Sequence, residues 1–150
     1  MFIFILVNLY IMKVIIINGP NLNLLGKRNP DIYGSVSFED YFQILKNNFS
    51  AIDLSMYQSN IEGELINKLQ EVGFSHDYII LNGGGYTHSS VAIADCIDAI
   101  RAPVIEVHIS NIYSREDFRK VSLFSPFCLG SIVGLGLDGY KLAINHIINR

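Results

Sequence analysis

The stretch Leu81–Ser90, with the sequence L-N-G-G-G-Y-T-H-S-S, combines glycines with side chains that can bind a ligand or move a proton. The apolar run Tyr78–Leu81 before it is typical of a buried strand, and Val91–Ile100 after it has helical periodicity. Glycine lets backbone approach a ligand closely, and a helix start offers unpaired N–H groups. In open α/β sheets, ligands bind at the carboxyl ends of the strands. Asn82 and His88 then place an amide and an imidazole at that edge, and we interpret the stretch as the floor of an active site.

Other polar side chains that could do chemistry follow two further predicted strands. After the first strand come Asn21, Arg28 and Tyr33, and after the fourth come His108, Ser110, Arg115 and Arg119. Taken singly, each has an ordinary structural explanation, such as a turn, a solvated arginine or a packed ring. Parallel strands end at a common edge, however, so the sequence predicts that these groups converge there. Arginines bind carboxylates in a bidentate manner, and histidine and tyrosine serve as acid and base. The set therefore predicts an anionic substrate and proton-transfer chemistry.

Several common kinds of site are not indicated. His76 and His146 fall in a connection and in the last helix, so no metal-ligand spacing is present. Gly83–Gly85 lacks the following Lys-Ser/Thr of a phosphate-binding loop, and no Gly-x-Gly-x-x-Gly motif occurs. A net charge of −3 with 11 basic residues offers no broad basic face, so nucleic acid is not expected as a partner.

Strand and helix patterns alternate along the chain. The predicted strands are Val14–Ile17, Ile52–Tyr57, Tyr78–Leu81, Pro103–His108 and Ser131–Gly134. Helices are predicted over 38–49, 62–72, 91–100, 115–121 and 140–148, with Ser37 and Ser59 as caps of the first two. The alternation predicts one α/β domain with a doubly wound, five-stranded parallel sheet. Residues 18–34 form a long loop, and such loops are typically lids or binding loops.

The amino terminus, Met1–Ile11, is apolar but short for a membrane span, and it lacks the features of a signal peptide. We interpret residues 1–11 as an extension outside the fold and residues 12–150 as one catalytic domain, without membrane association. Cys96 and Cys128 are too few for a disulfide framework, which favours reduced thiols in a cytoplasmic protein. Half of the residues are hydrophobic and only 17% are charged, which favours burial of surface between subunits.

Four separated blocks of the chain form an ordered set: Asn18–Gly26, Gln58–Glu64, Tyr86–Ser90 and Glu106–Asn111. In order and spacing they resemble the signature blocks of type II 3-dehydroquinate dehydratases, over roughly Lys13 to the carboxyl terminus. The resemblance implies a flavodoxin-like fold and reversible dehydration of 3-dehydroquinate to 3-dehydroshikimate, a step of the shikimate pathway. It also implies no cofactor, no Schiff base, and a dodecamer built from trimers. The glycine triplet departs from the family's usual Pro-Gly-Ala.

The resemblance further implies a role for each candidate residue. Tyr33 is the implied base that removes a proton next to the ketone, and Arg28 favours its phenolate. His108, held by Glu106, is implied to protonate the departing hydroxyl. The other implied roles are holding a water that stabilises the enolate (Asn21), orienting the histidine (Asn82), binding the substrate carboxylate (Ile109 and Ser110), binding the ring hydroxyls (His88 and Arg119), closing the site (Arg115) and reaching into a neighbouring subunit's site (Asp95).

Two functions of other classes stay open on the residues alone. A non-catalytic flavodoxin-like module that binds a flavin or regulates a partner accounts for the fold and the glycine-rich edge, but not for the tyrosine, histidine and arginine set. A small hydrolase would use Ser89 or Ser90 beside His88 as its nucleophile, although no nucleophile-elbow motif surrounds them.

Overall fold

Five parallel strands form one sheet in the computed structural model, which describes residues 10–27 and 35–150. The strands are β1 (Lys13–Asn18), β2 (Asp53–Gln58), β3 (Tyr78–Asn82), β4 (Val104–His108) and β5 (Gly130–Val133). Their order across the sheet is β2-β1-β3-β4-β5, and every neighbouring pair is parallel. This is the strand order of doubly wound, flavodoxin-like folds, and it confirms the predicted five-stranded parallel sheet.

Within the described ranges, four α-helices cover the two faces of the sheet: α1 (Phe38–Asn48), α2 (Glu62–Val72), α3 (Val91–Ala99) and α4 (Asp138–Ile148). Side chains alternate along a strand, so successive residues of β1 enter different cores. Val14 and Ile16 pack with α1 and α4, whereas Ile15 and Ile17 pack with α2 and α3. Burial on both sides explains why β1 reads as a continuous apolar run.

The starts of the first two helices differ in how they are capped. Ser37 caps α1 as predicted, since its Oγ accepts from the Asp40 N–H at 3.1 Å. The predicted cap of α2 by Ser59 is wrong: α2 begins after Ile61, which provides no side-chain cap. The Ser59 hydroxyl accepts from the Ile61 N–H at 3.0 Å and donates to Glu64 instead. The serine oxygen is used by the N–H of Ile61, which precedes the helix, and its proton is used by Glu64, so Ser59 does not cap the N–H groups of the first turn.

The segment before β1 contacts the opposite end of the sheet from the glycine-rich loop. The Tyr10 hydroxyl donates to the carboxylate of Asp77, which also accepts from the Lys13 N–H at 2.7 Å. The carbonyl of Met12 accepts from the Asp53 N–H at 2.8 Å. No helix in residues 10–27 or 35–150 is long and apolar enough to cross a membrane.

Candidate active site

A cleft opens at the carboxyl edge of the sheet, beside the point where the strand order reverses between β1 and β3. It is lined by polar side chains and by backbone that follow β1, β3 and β4. The backbones that follow β1 and β3 touch here, because the Gly19 N–H donates to the Asn82 carbonyl at 2.7 Å. A Cβ atom at Gly19 would lie 2.5 Å from the carbonyl oxygen of Gly83, so only glycine permits this approach.

The loop after β1 is held by the end of β2. Gln58 Nε2 donates to the Gly19 carbonyl at 3.2 Å and to Asn60 Oδ1 at 3.1 Å. The same Asn60 oxygen accepts from the backbone N–H of Asn21 at 2.9 Å. Asn21 has a φ of 68°, a left-handed conformation in which asparagine is enriched. The Gln-Ser-Asn segment thus fixes the backbone that presents Asn21 to the cleft.

β4 contributes a buried acid–base pair. Glu106 and His108 are two residues apart on one strand, so their side chains share a face of the sheet. His108 Nε2 lies 2.9 Å from Glu106 Oε1, and the two residues are 5% and 1% exposed. An ionised carboxylate only accepts hydrogen bonds, so Nε2 carries the proton and Nδ1 is the ring nitrogen left for another partner. The pair can hold a proton at the cleft and release it to a bound molecule.

Serine hydroxyls complete the shell of Glu106. Ser122 Oγ donates to Oε1 at 2.6 Å, and Ser125 and Ser131 donate to Oε2 at 2.5 Å and 2.8 Å. Burial alone raises the pKa of this carboxyl group, but hydrogen bonds from His108, Ser122 and Ser125 outweigh burial and hold the pKa of Glu106 at about 2. Glu106 is therefore ionised at neutral pH.

A second imidazole lies beside His108. The ring centroids of His88 and His108 are 6.1 Å apart, and the two planes are inclined by 21°. His88 Nδ1 lies 2.7 Å from the carbonyl oxygen of Val121. Because a carbonyl only accepts, Nδ1 of His88 carries a proton and Nε2 is the nitrogen left to meet a ligand. Two nearly parallel imidazoles thus line the cleft.

The segment that follows β4 differs from the prediction. The helix predicted over 115–121 is wrong, because two 3-10 turns, Ile112–Ser114 and Asp117–Lys120, take its place. Arg115 and Glu116 between them have extended backbone, with ψ angles of −164° and 146°. Arg115 in this break and Arg119 after it both reach the cleft.

The two arginines of this segment give the cleft its positive charge. Arg119 Nε pairs with Glu116 at 2.9 Å, and Arg115 Nη1 donates to Ser110 Oγ at 3.4 Å. Ile109 and Ser110, directly after β4, line the same part of the cleft. Guanidinium groups beside a serine hydroxyl form a suitable site for a carboxylate.

The floor of the cleft is held from inside the protein by Tyr140. Its hydroxyl donates to Asn18 Oδ1 and accepts from Asn82 Nδ2, both at 2.8 Å. Asn82 Oδ1 accepts in turn from the Gly84 N–H at 3.2 Å. Asn18, Asn82 and Tyr140 are 1%, 3% and 0% exposed. Within the described part of the chain Asn82 forms no hydrogen bond with His108, so its amide holds the glycine turn rather than the imidazole ring.

Most of the predicted site residues meet at this cleft: Asn21, Asn82, His88, His108, Ile109, Ser110, Arg115 and Arg119 line it. Arg28 and Tyr33 lie outside the described residues. Asp95 is exposed on α3 and does not line the cleft of its own chain. Ser90, one of the two alternative nucleophiles, caps α3: its Oγ accepts from the Ile93 N–H at 2.9 Å, and the residue is only 2% exposed.

Sequence reasoning missed the residues that support the cleft from behind. The position of Ser131 beside Glu106 could in principle be predicted, since Ser131 alternates with Ile132 on β5 and is the register partner of Glu106 on β4. That prediction requires the register of the two strands, which the sequence does not show. Tyr140, at the start of a helix, has no local signal, because its partners lie more than 50 residues away in the chain.

Comparison with known proteins agrees with this geometry. Residues 12–148 match the family model described as dehydroquinase class II. A 3-dehydroquinate dehydratase of Fusobacterium nucleatum is 51% identical over 142 residues, which cover 91% of this chain and 97% of the relative. A 3-dehydroquinate dehydratase of Campylobacter jejuni is 50% identical over 139 residues, which cover 91% of this chain and 87% of the relative.

Solved structures with the same fold carry related names. A type II dehydroquinase from Butyrivibrio crossotus superposes with a TM-score of 0.88 at 44% identity, covering 93% of this chain and 99% of that one. A type II dehydroquinase from Propionibacterium acnes has a TM-score of 0.88 at 34% identity, covering 94% of this chain and 100% of that one. With the cleft and its acid–base pair in place, these matches lead to one conclusion: the chain belongs to the class II dehydroquinase family.

Proposed function

We propose that this chain catalyses the reversible dehydration of 3-dehydroquinate to 3-dehydroshikimate, the reaction of the shikimate pathway for which its relatives are named. The observation that carries the proposal is the buried His108–Glu106 pair, which reaches the cleft next to two arginines. Such a pair can give a proton to a departing hydroxyl, and the arginines suit the substrate carboxylate.

The first step is removal of a proton. Tyr33, as phenolate, takes the proton from the carbon next to the ketone, and the electron pair of the broken C–H bond forms an enolate. An ordinary phenol has a pKa near 10, so the phenolate requires a neighbouring positive charge, which Arg28 provides. A water held by Asn21 stabilises the enolate oxygen. The left-handed backbone of Asn21, tied to Asn60, supports this role because it holds the asparagine at the cleft.

The second step expels the hydroxyl group. The enolate electrons form the new carbon–carbon double bond, and the C–O bond breaks with its electron pair remaining on oxygen. His108, as imidazolium, gives that oxygen the proton on Nδ1, and water leaves. The hydrogen bond from Nε2 to Glu106 supports this assignment, since it directs Nδ1 away from the carboxylate.

Binding of the substrate uses the remaining groups of the cleft. Ile109 and Ser110 receive the substrate carboxylate, with Arg115 beside the Ser110 hydroxyl at 3.4 Å as the closing residue. His88 and Arg119 bind the ring hydroxyls. These binding roles are supported by the common position of the residues on the wall of the cleft.

A direct assay tests the reaction. Added 3-dehydroquinate should produce an absorbance band of a conjugated enone, and borohydride added with the substrate should leave activity intact because no Schiff base forms. Tyr33→Phe should lower kcat by several orders of magnitude with little change in KM, since only a transition-state proton transfer is lost. Tyr57→Phe is the matched control, because Tyr57 lies on β2 with Lys68 above its ring. Near-normal turnover of Tyr33→Phe would place the base elsewhere.

The non-catalytic alternative makes a different prediction. A flavodoxin-like binding module would purify with a yellow flavin or take one up, and it would leave 3-dehydroquinate unchanged. The cleft's paired imidazoles and arginines favour the dehydratase, because flavin binding has no need for a buried imidazole–carboxylate pair.

The quaternary structure is part of the proposal. We propose a dodecamer of trimers that works in the cytoplasm, in which Asp95 reaches into a neighbouring subunit's site. Its support is the exposed position of Asp95 on α3 and the number of large apolar side chains at the surface of the single chain. Light scattering should give a mass far above 16.8 kDa, and Asp95→Ala should lower activity or weaken assembly. A fully active monomer would contradict this.

The amino-terminal extension is proposed to lie outside the catalytic domain. The family match begins at residue 12, which supports this boundary. A chain that starts at Met12 should keep its activity, whereas loss of assembly on truncation would show that the extension packs. Thermal unfolding of the shortened chain also measures what the contact between Tyr10 and Asp77 contributes.

A further inference from the structure

We propose that Ser122, Ser125 and Ser131 are positioning residues that hold Glu106 as a carboxylate, so that the proton shared by the Glu106–His108 pair stays on the imidazole. The inference rests on the proposed function, in which the imidazolium form of His108 is the acid. It assigns a role to three hydroxyls that never meet the substrate, because none of them lines the cleft.

The four acceptor positions of Glu106 are all used. Oε1 accepts from His108 at 2.9 Å and from Ser122 at 2.6 Å, and Oε2 accepts from Ser125 and Ser131 at 2.5 Å and 2.8 Å. A carboxylate has about four lone-pair sites. A proton could therefore bind to Glu106 only by displacing one of these donors.

The direction of the Ser122 bond is fixed by its own partners. Ser122 Oγ accepts from the backbone N–H groups of Phe124 at 3.1 Å and Ser125 at 3.0 Å. Both of its lone pairs are thereby used, so its single proton points to Glu106. A hydroxyl held this way is a permanent donor, and it cannot rotate to accept a proton from a protonated Glu106 without losing two backbone bonds.

Ser131 reaches Glu106 through the sheet. β4 and β5 are parallel, and Glu106 and Ser131 are register partners, so their side chains project from the same face. Ser125 comes from a 3-10 turn, Ser125–Phe127, on the same side, with its Oγ 3.2 Å from that of Ser131. Both hydroxyl protons are directed to Oε2 of Glu106, so the Oγ atoms of Ser125 and Ser131 lie side by side.

The other titratable neighbours do not change the charge of the pair. Cys128, just before β5, faces Glu106, and burial together with the Glu106 charge raises the pKa of its thiol to about 12. It is therefore a neutral thiol at working pH. His88 stacks on His108, and the arginines Arg115 and Arg119 line the cleft on the substrate side. The serines are thus the donors that stabilise the negative charge of Glu106 on the side away from the substrate.

The consequence for the reaction concerns acid strength. In the proposed step, the Nδ1 proton of the His108 imidazolium moves to oxygen as the C–O bond breaks, while the Glu106 carboxylate accepts the Nε2 hydrogen bond. If Glu106 took the Nε2 proton, His108 would be a neutral imidazole, which is a far weaker acid. Each serine bond that stabilises the carboxylate therefore favours the reactive form of the pair.

A matched pair of substitutions at Ser131 tests this. Ser131→Thr keeps the hydroxyl and Ser131→Val replaces it with a methyl group of the same shape, and both residues suit a strand. The side chain is exposed in the single chain, so we expect both variants to fold. Ser131→Thr should retain kcat within about twofold, and Ser131→Val should lose about tenfold in kcat with KM nearly unchanged. Ser75→Ala, in the connection between α2 and β3, is the control for loss of an exposed serine.

Two readouts separate positioning from a purely structural effect. In Ser131→Val the acid-side loss of kcat should move to higher pH, because fewer donors oppose protonation of Glu106. Nitrogen NMR of His108 should show its Nε2 proton shifting toward Glu106 in the valine variant only. Ser125→Ala should act in the same direction, and the double variant should shift further. The proposal would be overturned if the threonine and valine variants had the same kcat, lost kcat at the same acidic pH and gave the same His108 spectra.

Failure of the proposed function would look different. If the unaltered chain did not convert 3-dehydroquinate, the reaction would be wrong, yet the NMR comparison would still decide whether the hydroxyls hold the proton on His108. If the unaltered chain were active and the NMR spectra of the two Ser131 variants agreed, only the proposed role of the serines would be refuted.

Discussion

Two polar networks meet beneath the cleft, and they differ in charge. On the β4–β5 side, donors converge on the carboxylate of Glu106, and His108 is one of them. On the β1–β3 side, the Tyr140 hydroxyl joins the amides of Asn18 and Asn82, and every member is neutral. A buried charge needs several donors at once, whereas a neutral chain needs only one partner per group. The charged network thus suits the proposed proton transfer, and the neutral network fixes backbone.

The titration properties of the two networks follow the same division. Burial raises the pKa of Tyr140 far above its ordinary value, although the hydrogen bond from Asn82 opposes it, so Tyr140 stays a neutral phenol. Glu106 has its pKa lowered to about 2 in spite of burial, because hydrogen bonds from His108 and the serines prevail. Tyr33, the proposed base, is also a tyrosine. Its proposed neighbour is an arginine, whereas the neighbours of Tyr140 are buried amides.

The largest effect should come from neutralising the charged network. Glu106→Gln keeps the shape of the side chain but removes the carboxylate that accepts the His108 Nε2 proton, so kcat should fall about a hundredfold or more. KM should change much less, because Glu106 does not line the cleft. Steady-state kinetics measure this, with Glu71→Gln, in an exposed pair with Lys68, as the control. A Glu106→Gln variant with normal kcat would remove the distinction between the networks.

The pH dependence of stability should separate the networks next. A carboxyl group whose folded pKa is about 2 instead of 4.5 stabilises the fold at pH values above 4.5, and this contribution is lost as the pH falls toward 2. Its full size is roughly 3 kcal/mol. Urea unfolding at decreasing pH should show this loss in the unaltered chain and in Tyr140→Phe, but not in Glu106→Gln. Equal slopes for all three chains would contradict the prediction.

Breaking the neutral network should cost stability more than chemistry. Tyr140→Phe leaves Asn18 and Asn82 without a shared hydroxyl, which should lower the free energy of unfolding by about 1–3 kcal/mol. Less precise positioning of the residues beneath the cleft should lower kcat by at most about tenfold. The pH profile of kcat should keep its shape, because the phenol of Tyr140 stays neutral. Tyr57→Phe again serves as the control. A changed pH profile would show that Tyr140 takes part in proton transfer.

The smallest effects should come from the glycine turn that Asn82 holds. Gly84 has a φ of 57°, and a Cβ there would lie 3.1 Å from the Pro20 carbonyl oxygen, so Gly84→Ala should cost about 1–2 kcal/mol. A Cβ at Gly85 meets no atom within 4 Å, so Gly85→Ala should change stability by less than about 0.5 kcal/mol. Thermal unfolding of the two variants measures the difference. Equal costs would show that the turn is not held by its backbone conformation.

Local pattern was sufficient for the five strands, for the four α-helices and for the side of the sheet that carries the chemistry, but not for the segment after β4. The β-branched run of β1 predicts a strand covered on both faces, because a parallel sheet buries both sides. Polar groups placed directly after strands must reach the carboxyl edge, which is why Asn21, Asn82 and His108 could be assigned to one cleft before the fold was known.

Only the tertiary structure decided which distant groups support that cleft. Ser131 becomes a partner of Glu106 through the register of β4 and β5, and a shift of one residue would turn it to the other face. Tyr140 meets Asn18 across 122 positions of the chain, because α4 packs against β3, β4 and β5. The sequence by itself determined which residues are apolar, polar or able to titrate, since these are local properties. The partner of each buried polar group was left to the fold, because a hydrogen bond depends on distance in space and not on spacing along the chain.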